Sequence, residues 1–78
     1  MMYARIDQQV MRIAAQVMGV AVADIEAHTP IAHWSDKATI NDETCIALNL
    51  NISTQSASQC RTVGEYCELV ERHAQQRF

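Results

Sequence analysis

The side chains best suited to chemistry gather in one stretch, IAHWSDKATIND, residues 31–42. It holds two hydroxyls (Ser35 and Thr39), His33, the carboxylates Asp36 and Asp42, and the only tryptophan, Trp34. Three thiols, Cys45, Cys60 and Cys67, and two more imidazoles, His28 and His73, lie elsewhere. Such groups offer nucleophilic chemistry or metal binding. A nucleophile needs an activating base held beside it, and no motif flanks any of these residues to hold one. Zinc needs Cys and His at finger-like spacing, and these do not have it. No cysteine pair has C-x-x-C spacing, and the number is odd. The thiols therefore read as reduced, buried small hydrophobes of a cytosolic protein. Neither an enzyme nor a metal site is expected.

The elements that must position these residues are helical. The chain of 78 residues is 49 % apolar, with only two Gly and one Pro. That length makes one domain, residues 1–78, with a single small core and little room for a deep pocket. In YARIDQQVMRIAAQVMG, Ile6, Val10, Ile13, Ala14 and Val17 recur at helical spacing, which predicts a helix over 4–18. Met11 and Met18 lie near that stripe. Gly19 supplies the left-handed stop. Residues 20–38 lack a stripe, and Thr29-Pro30 marks a bend. They predict a long ordered loop pinned by Ile25 and Ile31, with Trp34 as a third candidate pin. A short helix is expected over 40–49, with Thr39 or Asn41 as its N-cap and Ile40, Thr44 or Cys45, and Leu48 on one face. STQSASQC makes at best one helical turn near 54–59. Thr62 and Glu65 have capping-box spacing, and Val63, Tyr66, Leu69, Val70 and His73 follow at helical intervals, predicting a helix over 62–75. Glu65, Glu68 and Glu71 fall on its solvated face.

The net charge is −3 with six Lys and Arg. That balance lacks the basic footprint of a nucleic-acid binder. The apolar run Ile13–Ala23 is too short to span a bilayer, and MMYARIDQQ lacks a signal-peptide layout. A cytoplasmic protein is expected.

The order of long helix, loop, short helix, turn and final helix resembles an acyl carrier protein. IDQQVMRIAAQVMGV is similar to that family's first helix, VADIEAHTPI to the segment after it, and ASQCRTVGEYCELVERH to its close. Ile25, Ile31, Ala57, Cys60, Thr62 and Val63 fit the apolar and capping places. The likeness covers nearly the whole chain and implies an all-α, acyl-carrier-protein-like bundle of three main helices plus a short helical turn.

The family's most specific motif is Asp-Ser-Leu, whose serine receives 4′-phosphopantetheine from a transferase. The gapless alignment puts Ala38, Thr39 and Ile40 there. Thr39 keeps a hydroxyl, but β-branching crowds it, and attachment tolerates little displacement. Ser35 lies four residues earlier and precedes Asp36 rather than an aliphatic residue. The chain is also about five residues shorter than a typical carrier between Ile40 and Ile52, more than one helical turn. The family's docking acids are reduced here to Asp42 and Glu43.

The resemblance with these departures implies a carrier-derived domain without a working phosphopantetheine site, acting by docking to a partner protein through Trp34, Ile40, Asp42 and Glu43. Trp34 has two readings, a plug over the core or an exposed anchor. The alternative is a carrier loaded with 4′-phosphopantetheine on Thr39 or Ser35 for fatty-acid or polyketide-type lipid biosynthesis.

Overall fold

The computed structural model describes residues 2–76, with side chains from Ile6 onward. Among these residues the fold is all-α. Three long helices, α1 (Met2–Met18), α2 (Trp34–Leu48) and α4 (Val63–Gln76), are joined by a 3-10 turn at Val22–Asp24 and a short helix, α3 (Thr54–Ser58). α1 packs on both α2 and α4, and α3 packs on α2. None of the helices is long and apolar enough to cross a membrane.

The expected stripe of α1 turns inward. Ile6, Val10, Ala14 and Ala15 are buried, and Met11, Ile13, Val17 and Met18 pack at their margin. Gly19 ends the helix at φ 72, and the Val20 N–H donates back to the Ala15 carbonyl at 3.0 Å. That closure needs a left-handed residue, which glycine adopts without strain. From α4, Val63, Tyr66, Cys67, Leu69, Val70 and Ala74 complete the core. Val10, Val63 and Val70 are wholly enclosed, and each such side chain contributes about 1.5–3 kcal/mol of transfer free energy.

The segment from Ile25 to His33 is held as an ordered strap. Ile25 and Ile31 insert into the core. The strap runs antiparallel to the entry of α4: the Ile31 N–H donates to Arg61 O at 2.9 Å, and the Val63 N–H to Thr29 O at 2.9 Å. The Gly64 N–H reaches Ala27 O at 2.8 Å. A Cβ at position 64 would sit 2.8 Å from that same oxygen, so glycine is required for the approach. Thr62 Oγ1 accepts the Glu65 N–H at 3.1 Å, as capping-box spacing predicts. The Glu65 carboxylate reaches one residue further back than expected, accepting the Arg61 N–H at 2.8 Å.

The second helix departs from expectation. It begins at Trp34, six residues before the expected start, and runs 15 residues to Leu48. His33 occupies the N-cap position without a side-chain cap bond. Thr39 caps nothing: it lies in the second turn, and its Oγ1 donates to Ser35 O at 2.9 Å. Asn41 is not a cap either but a buried residue of the helix interior. Asn49, left-handed at φ 55, closes the helix through its N–H to Cys45 O.

Candidate docking face on the second helix

The inner face of α2 is unusually polar. Its buried residues are Ile40, Asn41 and Thr44. A buried amide is tolerated only when its hydrogen bonds are made, and those of Asn41 are. Its Nδ2 donates to Ile52 O at 2.8 Å, and its Oδ1 accepts the Tyr66 hydroxyl at 2.7 Å. The Cys45 thiol approaches both acceptors, Asn41 Oδ1 at 3.7 Å and Ile52 O at 3.8 Å. One side chain thus ties α2 to the segment before α3 and to α4. Burial pushes the Tyr66 phenol up, so it stays a neutral donor. Thr44 lies beside that phenol, and its buried Oγ1 makes no hydrogen bond.

Apolar side chains are exposed elsewhere on α2: Trp34, its first residue, is 64 % exposed, and Ile46 on the outer face is 82 % exposed. Ser35, Thr39, the adjacent pair Asp42 and Glu43, and Ile46 are spaced three or four residues from one group to the next, so they share one side of the helix. All five are exposed. Lys37, the helix's one cation, is drawn away: its Nζ donates to Ser58 O at 3.1 Å and fixes α2 to α3. The acidic side chains of this face therefore have no compensating charge on their own helix. A groove of about 350 Å³ runs between Gln16 and Val17 of α1 and Asp36, Thr39 and Glu43 of α2.

The expected site residues separate on this geometry. Trp34 is not a plug over the core but an exposed side chain at the helix start. Asp42 and Glu43 are exposed together on the outer side. Ile40 is 1 % exposed and belongs to the core, so it offers no surface to a partner. Ile46, three residues after Glu43, is instead the exposed aliphatic side chain beside these acids. The sequence signal for Ile46 is its spacing of four and three residues from Asp42 and Glu43.

The two candidate hydroxyls also exchange places. Ser35, not Thr39, stands in the first turn of α2, because the helix starts early. Thr39 does not fit an attachment point: its hydroxyl proton is engaged by Ser35 O, and its γ-methyl crowds the oxygen. Ser35 fits in position and exposure but is flanked by Trp34 and Asp36.

The cysteines are free. Cys60 and Cys67 are buried, and burial is the main cause that raises both thiols, Cys67 to about 12. Cys45 is half-buried. Among the described residues no group of three or more His, Cys, Asp or Glu could hold a metal ion.

Known family patterns, curated proteins and solved structures give no match to this chain.

Proposed function

We propose that the protein is an acyl-carrier-protein-like docking domain that works without a phosphopantetheine arm, offering the outer face of α2 to a partner protein. The observation that carries the reading is the reversal of polarity across α2. A helix that encloses Asn41 and Thr44 while leaving Trp34 and Ile46 in water is not arranged for its own stability. Exposed Trp is favoured as an anchor in interfaces. Asp42 and Glu43 neighbour Ile46 on one side of the helix, with Trp34 at its start, so the fitting partner surface has apolar pockets flanked by Lys or Arg. Self-pairing of this face is opposed by its own carboxylates.

The second reading, a loaded acyl carrier, is favoured by one observation, the exposed Ser35 in the first turn of α2. Intact mass after incubation with coenzyme A and a broad-specificity phosphopantetheinyl transferase separates the two. The docking reading expects an unchanged mass. A gain equal to the arm, abolished by Ser35→Ala, would replace it with the carrier reading.

A further inference from the structure

The core divides into two unequal bodies. α1, the strap and α4 form the larger. Val10, Val63 and Val70, wholly enclosed, and the pins Ile25 and Ile31 all belong to it. The strap's backbone bonds, with Arg61 O and from Val63 and Gly64, lock it to the entry of α4. Glu71, expected on the solvated face of α4, is half-buried along the seam that Asp7 and Met11 of α1 also line. The smaller body runs from Trp34 to Ser58. It is tied within itself: Lys37 Nζ donates to Ser58 O at 3.1 Å, and Asn41 Nδ2 to Ile52 O at 2.8 Å. Its buried apolar side chains are Ile40, Ile52 and Ala57, and its other buried residues, Asn41 and Thr44, are polar. Among the described residues α2 packs closely on α1 and α3 but not on α4. The Tyr66 hydroxyl spans that interval, reaching Asn41 Oδ1 at 2.7 Å.

We propose that α2 and α3 open as one unit while the frame of α1, strap and α4 stays folded. The hydrophobic effect scales with the apolar area removed from water, and the smaller body removes less of it. Thr44 gains on opening, because its buried Oγ1 makes no hydrogen bond and would meet water. Asn41 and the Tyr66 phenol exchange their mutual bond for bonds to water, so the net loss there is small. The Lys37 and Asn41 ties make the two helices open together. Freed from the frame, a helix of 15 residues is marginal in water, so α2 unwinds and its amides exchange. Segments with few buried apolar contacts open below the free energy of global unfolding. The chain can turn at His33 before α2 and at Gln59 after α3, both of which are exposed. Opening uncovers Ile40, which the closed form buries. It depends on packing alone and holds whether or not α2 docks a partner.

Hydrogen exchange of the full chain, read amide by amide by NMR in increasing urea, tests this and needs no variant to fold. Thr44 and Ala57 report the smaller body, Val10 and Val70 the frame. Protection at Thr44 and Ala57 is expected to be alike, at least about tenfold below that at Val10 and Val70, and to fall less steeply with urea because less surface is exposed. One common level and slope for all four would overturn the proposal, as would separate levels for Thr44 and Ala57. Gly64→Ala is the second test, since its clash with Ala27 lies wholly inside the frame. It burdens the closed and opened forms alike, so it should lower protection at Val10 and Val70 and leave Thr44 and Ala57 unchanged. An equal drop at all four would reveal a single cooperative core and sink the idea.

Discussion

The Tyr66 hydroxyl donates to Asn41 Oδ1 at 2.7 Å, across the core from α4 to α2. With the Asn41 amide on Ile52 O at 2.8 Å, this pair fixes α2 by directional bonds where a hydrophobic stripe would ordinarily serve. Removing one partner strands the other in the core. Asn41→Ala is expected to cost about 1–3 kcal/mol, since two buried groups lose their partner. Tyr66→Phe should cost about 1 kcal/mol. Urea unfolding of both variants and their double mutant checks this, with a coupling of at least about 0.5 kcal/mol expected for residues in one network.

Gly64 gives a prediction against helix propensity. Gly→Ala inside a helix ordinarily gains about 0.5–1 kcal/mol. Here the new Cβ would lie 2.8 Å from Ala27 O and 3.0 Å from Ala27 Cβ. Gly64→Ala should therefore destabilise, as overpacked sites do, by about 1–3 kcal/mol. Thermal unfolding would register a fall of roughly 4–8 °C per kcal/mol for a domain of this size. An increase in midpoint would contradict the tight strap.

Trp34 should report its own exposure. As the single tryptophan, it gives the whole indole signal. Its fluorescence is expected to be water-like and readily quenched by iodide in the native state, with little further gain on unfolding. Trp34→Ala should leave stability within about 0.5 kcal/mol, as exposed substitutions do. The same change, or Asp42→Lys with Glu43→Lys, should weaken a partner complex where Arg61→Ala does not.

The thiols should differ in rate. Alkylation of the native chain, followed by intact mass and peptide mapping, is expected to label Cys45 first, because Cys60 and Cys67 are buried. Cys67 also gives a pH effect. Its folded value of about 12 lies above the ordinary 9.0, so its stabilising contribution is whole below the ordinary value and disappears as pH climbs through the raised one. Cys67→Ala should remove that alkaline loss of stability while leaving a small core cavity.

The two amphipathic helices were legible from spacing alone. The stripes of Ile6, Val10 and Ala14 and of Val63, Tyr66 and Val70 point where they should, and the ends predicted at 18 and 75 lie within a residue of those found. Ile25 and Ile31 were rightly placed as pins of the intervening segment. α2 was not legible. Its buried residues include Asn41 and Thr44 and its exposed ones Trp34 and Ile46, so the pattern that marks a helix cancels along its length. Its start at Trp34 was hidden for a related reason, since His33 contributes no side-chain cap. The partner of Asn41 lies 25 residues away in the chain, and no local spacing rule connects the two. Trp34, Asp42 and Glu43 were singled out and are exposed, while Ile40, singled out with them, is buried.

A cylinder with apolar side chains on more than one flank is poorly aimed by the hydrophobic effect alone, because that effect has no direction. The carboxamide at position 41 supplies the missing direction through its two fixed partners. Change that one group to a hydrocarbon, and the roll of α2 about its long axis, which sets which side chains stay outermost, loses that anchor. The availability of the outer surface would thus be governed from within, by a side chain that no visiting molecule touches.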